Sequence, residues 1–99
     1  MIFGINIFLK VSDKVDESDF NAIINESVFN NGIVRDLSLH ISEHFSLSEK
    51  EATEQIKAIK RQFKELKKEF RKKYGLFCIK TSMLSIWSNK SNITLGLEL

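Results

Sequence analysis

Eight of the fifteen Lys and Arg residues fall between positions 57 and 72: Lys57, Lys60, Arg61, Lys64, Lys67, Lys68, Arg71 and Lys72. If this stretch is helical, with roughly 100° between successive residues, the eight cations occupy one contiguous arc. Ile56, Ile59, Phe63, Leu66, Phe70 and Tyr74 occupy a second arc, and the acids Glu54, Glu65 and Glu69 lie on the flank between them. A chain whose net charge is only +2 thus concentrates positive charge on one helical face. Cations repeating about once per turn can follow a line of phosphates, with counterion release supplying the free energy. Such contacts position a protein on nucleic acid without reading its sequence. The same stripe would serve to dock on an acidic protein surface, where it would speed association and favour the correct partner. Gln55, Gln62 and Asn21 carry amides able to meet base edges, but the sequence does not fix their directions.

Other reactive residues give weaker patterns. His40 and His44 are four apart, a spacing that on a helix can hold one metal ion. Glu43 precedes His44 directly, however, and no zinc-protease motif surrounds the pair, so no metal is expected. The two histidines are also the acid and base candidates if the chain were a small toxin-like nuclease. Cys78 reads as a small buried hydrophobe in a strand. Gly4, Gly32, Gly75 and Gly96 are too scattered to form a phosphate-cradling loop, and nucleophile-elbow, nucleotide-binding and kinase motifs are absent. The carboxylate pairs Asp16/Asp19 and Glu49/Glu51 sit at expected helix starts, where capping explains them. Neither an enzyme nor a cofactor is expected on this pattern. Trp87 and Phe77, if carried on a strand facing away from the helices, would stack bases or anchor a protein partner; as strand aromatics their ordinary place is the core.

These residues have to be positioned by a chain of 99 residues and 11.5 kDa, 42% hydrophobic and 28% charged. That composition describes one domain with one core, not a disordered chain. No stretch approaches the ~20 apolar residues of a membrane span, and Cys78 as sole cysteine excludes an intrachain disulfide. Residues 1–9 are apolar, but no basic residue precedes them and no small-residue cleavage site follows, so they do not read as a signal peptide. Phe3, Ile5, Ile7, Leu9 and Val11 alternate as a strand does. A cytoplasmic, reducing setting is expected, in which the sequons at Asn25, Asn89 and Asn92 have no role as glycosylation sites.

Asp16 is the expected cap of a first helix, with Val15 and Phe20 in staple positions, and Phe20, Ile23, Ile24 and Val28 on its apolar side. Asn30-Asn31-Gly32 supplies a stop. Between 34 and 45, Val34, Leu37, Ile41 and Phe45 share a helical stripe while Leu37, Leu39 and Ile41 alternate; a second helix is expected there. Ser48 with Glu51 forms a capping box, Leu47 precedes it, and Gly75 ends a third helix of ~26 residues, roughly 39 Å long. This exceeds what one small sheet needs. Ile56, Ile59, Phe63, Leu66 and Phe70 read first as the core face against the sheet; they also fit a coiled-coil seam, by which an overhanging end could pair with a second copy as a homodimer and set two basic stripes side by side. Leu76–Ile79 and Met83–Trp87 read as strands, residues 88–92 as a turn, and Ile93, Leu95, Leu97 and Leu99 as the alternating side of a last strand. The fold class is α+β: an N-terminal strand, two to three helices including one long amphipathic helix, then C-terminal hairpin strands. Together the strands form an antiparallel or mixed sheet with helices on one face.

The stretch Ile41-Ser42-Glu43-His44-Phe45-Ser46-Leu47-Ser48-Glu49-Lys50-Glu51, followed by Ile56, Ile59, Arg61, Phe63 and Phe70, resembles the second and third helices of Myb/SANT-type domains. The resemblance covers about a third of the chain and implies a basic third helix entering the DNA major groove. The spaced tryptophans of that family are absent, and strands at both chain ends lie outside its pattern. The Lys/Asn/Ile/Phe-rich composition is similar to that of small accessory proteins of phages and plasmids that bind and inhibit host machinery. The sequence therefore leads to a small, non-enzymatic binding protein with no membrane association. Nucleic acid is the first expected partner, and an acidic surface of a protein complex to be inhibited or adapted is the second.

Overall fold

The alternation between Phe3 and Val11 sets the architecture, because it gives one strand a wholly apolar side. The computed structural model describes residues 1–89 and 94–98. Its elements are β1 (Ile2–Val11), α1 (Glu17–Glu26), β2 (Ile33–Arg35), β3 (Ser38–Ser46), α2 (Glu49–Tyr74), β4 (Ile79–Ser88) and β5 (Thr94–Glu98). The sheet order is β2-β3-β1-β4-β5, with every neighbouring pair antiparallel. The first six elements thus make a split β-α-β arrangement with β1 at the centre, and β5 extends the sheet beyond β4. Phe3, Ile5, Ile7, Leu9 and Val11 are all buried in one cluster with Phe20 and Ile24 of α1 and with Ile56, Ile59, Phe63, Leu66 and Phe70 of α2. Phe20 stacks on Phe70, and Phe29 meets Phe63 edge-on. Both helices therefore cover the same side of the sheet, as the α+β reading expects.

The helix signals operate as the sequence indicates. The Asp16 carboxylate accepts from the Asp19 amide at 3.0 Å, and both staple residues, Val15 and Phe20, are buried. The Ser48 hydroxyl oxygen accepts from the Glu51 amide at 3.2 Å while the hydroxyl lies 3.0 Å from the Glu51 carboxylate. Gly75 ends α2 at φ +96°, a conformation open to glycine at low cost.

Four expectations need correction. The segment expected as a helix over 34–45 is the β2–β3 hairpin. Its register sets Leu39 opposite Leu9 and Ile41 opposite Ile7, so both enter the core, whereas a helix would have left Leu39 off the apolar stripe. Pairing along β1 outweighs the helical periodicity of Val34, Leu37, Ile41 and Phe45. Asp36 and Leu37 form the two-residue turn with φ of +53° and +61°, the signs a type I′ hairpin requires. Second, α1 stops at Glu26 with Ser27 as its cap; Val28 is exposed, and Phe29 takes the buried place. Third, Leu76 and Phe77 lie outside any strand and are exposed, and β4 runs unbroken from Ile79 to Ser88. Fourth, the Myb/SANT resemblance ends here, because its second-helix segment is β3. Of the final turn and strand, residues 90–93 and 99 lie outside the described residues.

The ends of the two helices are tied together. Lys73 at the end of α2 pairs with Asp19 in the first turn of α1 at 2.6 Å, and the Tyr74 hydroxyl donates to the same carboxylate. Each charge also opposes the dipole end it sits on. The Lys73 ammonium, and then the Tyr74 hydroxyl, hold the Asp19 carboxyl below the usual carboxylate range. The carboxylate in turn raises both Lys73 and Tyr74. A lowered acid stabilises the fold above its ordinary pKa and stops doing so as pH falls through the lowered value. The raised Lys73 and Tyr74 stabilise below their ordinary values and stop doing so as pH rises through the raised ones. Urea midpoints followed against pH are expected to hold a plateau around neutrality and to fall at both ends; Asp19→Asn is expected to flatten both limbs.

Candidate functional site

The long helix is seated by Ala52, Ile56, Ile59, Phe63, Leu66 and Phe70, which are buried from one end to the other. They are the core face against the sheet, as first expected, and the alternative coiled-coil seam is thereby occupied within the chain. The helix also does not greatly overhang: ten-residue β1 and β4 each run ~33 Å at about 3.3 Å per residue. The two flanks of α2 differ in charge. Toward α1, Gln62, Glu65 and Glu69 line a depression with Ile23, Glu26 and Phe29. On the other flank, Lys67 lies 3.5 Å from the Ser82 hydroxyl of β4, which places the cationic arc above that side of the sheet.

Lys57, Arg61, Lys64, Lys68 and Lys72 are exposed, and Lys60 and Arg71 are half-buried. None of Lys57, Arg61, Lys64, Lys68, Arg71 and Lys72 forms an ion pair among the described residues. Lys67 departs from the expected set. It stands at the edge of the arc beside the apolar residues, is only 6% exposed, and holds its ammonium 4.8 Å from the centre of the Phe63 ring. Its stem packs as a hydrophobe and its charge is directed at Ser82 and an aromatic face, so it helps to anchor the helix. Gln55 and Gln62 line a second depression with Phe29 on the far flank, and Asn21 sits on α1; the structure does not bring these amides to the cations.

His40 and His44 lie on β3, not on a helix. Four steps along the strand set their Cα atoms about 13 Å apart, not one helical turn apart as a shared metal ion would need. No cluster of three or more potential metal ligands occurs among the described residues. The Cys78 thiol is buried, and that burial pushes its pKa up, away from the reactive thiolate.

The second surface was less legible in the sequence. Even-numbered residues of β1 point away from the helices. There Trp87 of β4 lies across Gly4: a Cβ at Gly4 would sit 2.5 Å from the indole. The indole meets the His44 ring at 5.3 Å with the planes 68° apart. Trp87 thus does face away from the helices, while Phe77 projects from the turn after α2. Phe8, Ile33, Arg35, His40 and Met83 line a depression farther along the same face. The alternation of Gly4, Asn6, Phe8 and Lys10 was the available signal for this face, but the partner strands were needed to assemble it.

The chain matches no protein-family model, no curated protein and no solved structure.

The two kinds of lysine on α2 should separate in stability measurements. Lys67→Glu places a carboxylate against the Phe63 ring and is expected to cost about 1–3 kcal/mol in urea unfolding. Lys64→Glu and Lys68→Glu, both at exposed positions, should stay within about 0.5 kcal/mol of the parent.

Proposed function

We propose that the protein binds nucleic acid, with the outer flank of α2 lying along the phosphate backbone. The observation that carries this reading is the presence of six cations on one flank, Lys57, Arg61, Lys64, Lys68, Arg71 and Lys72, without ion-pair partners among the described residues. Lys60 extends the same flank. From Lys57 to Lys72 the row spans about 22 Å of helix axis, at 1.5 Å per residue. With Gln55 and Gln62 on the opposite flank, no amide side chain of α2 accompanies the cations, so the contacts position the protein and are indifferent to base sequence. The reading needs no second copy, because the apolar side of α2 is filled by its own sheet. It is a binding role without chemistry, set in the reducing cytoplasm, where a free buried thiol is at home. No helix is long and apolar enough to cross a membrane among the described residues.

Fluorescence anisotropy of labelled oligonucleotides over a salt series tests the proposal. The logarithm of the association constant is expected to fall linearly with log salt. On duplex DNA the slope has a magnitude of up to about 5 if all six cations engage. The double change Lys64→Glu/Lys68→Glu should reduce that slope by about 2 and weaken all sequences alike. Absence of binding at low salt, or a slope unchanged by the double substitution, would overturn the reading. An acidic surface on a protein complex, the target of an inhibitor or adaptor, would then be the partner for the same residues.

A further inference from the structure

The sheet face turned away from the helices carries features that packing alone does not require. On the strand positions of β1 to β4 that occupy this face, residues such as Lys10, Arg35, His40 and His44 stand among Ser, Thr, Asn and apolar side chains, and no Asp or Glu occurs. The chain has 13 acidic residues, so this face has been kept free of the charge that would repel a phosphate. At one end Trp87 is fixed across Gly4 against His44, yet remains 37% exposed. A ring already held in place loses little side-chain freedom when something stacks on it. Farther along, half-buried Phe8 lines a depression of about 590 Å³ between Ile33 and Met83. At the other end Lys10 and Arg35 both pair with Ser38 and so stand in one row across the sheet. From Gly4 to Lys10 the path along β1 is six residues, roughly 20 Å, with aromatic surface first and cations last.

We propose that this face binds single-stranded nucleic acid, with bases stacked on Trp87 and Phe8 and the backbone drawn toward Lys10 and Arg35. Stacking needs an open base face, which a duplex does not present, and a flat sheet face does not enter a groove; interleaved aromatics and cations are what an unpaired strand binds. A second copy of the chain fits the face less well, because a face-to-face pair would bring cations together with no carboxylate to meet them. The inference goes beyond the α2 reading: it concerns the side of the sheet opposite α2 and rests on different residues.

Trp87 is the single tryptophan of the chain, so its emission reports directly on the platform. The full chain would be titrated at low salt with a labelled dT12 strand and with a duplex of the same length, recording anisotropy and Trp87 emission together. The single strand is expected to quench Trp87 with the same midpoint as the anisotropy change, and the duplex to leave the emission unaltered. Phe8→Ala should weaken the single-strand complex roughly five-fold or more. Arg35→Glu, at an exposed position that the core does not use, should weaken it as well and keeps the test independent of any folding defect from Phe8→Ala. In the Lys64→Glu/Lys68→Glu variant the quenching at saturation should persist. Anisotropy that rises with no change in Trp87 emission would overturn stacking on the sheet while leaving the α2 reading intact. Quenching that persists while duplex binding is absent would overturn the α2 reading and leave the sheet site. A dimer in light scattering whose dissociation on dilution shifts Trp87 emission would overturn the inference in favour of a second copy covering the face.

Discussion

Phe3, Ile5, Ile7, Leu9 and Val11 all leave the central strand on one side and are all buried, and the rest of the molecule is arranged around that asymmetry. Both helices have to lie where the apolar side chains are. Burial of this kind stabilises by roughly 1.5–3 kcal/mol per large side chain, far more than the surface contacts around it contribute. Two anchors then fix how α2 is turned about its own axis. On one flank Lys67 reaches Ser82 over the Phe63 ring; at the helix end Lys73 and Tyr74 hold Asp19 of α1. With the rotation set, the acidic flank lies beside α1 and the cationic flank lies outward over β4. Packing thereby decides which charges face outward.

The same asymmetry produces the second surface. A sheet covered on one side has an opposite side to occupy, and antiparallel sheets commonly leave that side to solvent. Here it bears a tryptophan laid across a glycine, a phenylalanine, two histidines and cations, with no carboxylate at the positions of β1 to β4 that face this side. Solvent exposure alone would be met by Lys, Glu and Thr in mixture. The two surfaces both carry cations and differ in what accompanies them: spacing along a helix on one, aromatic area on the other.

Elements whose stability is local were legible in the sequence. β1, the capped start of α1 and the whole of α2 follow from alternation, from Asp16 and Ser48, and from Gly75, because each signal acts within a few residues. The hairpin at 33–46 was not legible, since Leu37 and Ile41 fit a helix and a strand equally. Only Leu9 and Ile7, some thirty residues away in the chain, decide between them. The turn residues gave no warning either: Leu37 adopts positive φ in place of the glycine usual there. The cationic arc was visible on a helical wheel, but the burial of Lys67 was not, because a wheel shows direction and not the height of the neighbouring sheet. The open face stayed hidden for a similar reason, as Gly4 and Trp87 become neighbours only once β1 and β4 pair.

The central claim is that the outer flank of α2 is where nucleic acid meets this protein. Amide chemical-shift mapping of the isotope-labelled chain during titration with an oligonucleotide tests it most directly. Shifts gathered on residues 57–72 along the flank over β4, with α1 unmoved, are the result predicted. Shifts centred on α1 or on the hairpin turn at Asp36, with residues 57–72 silent in a saturated complex, would contradict it.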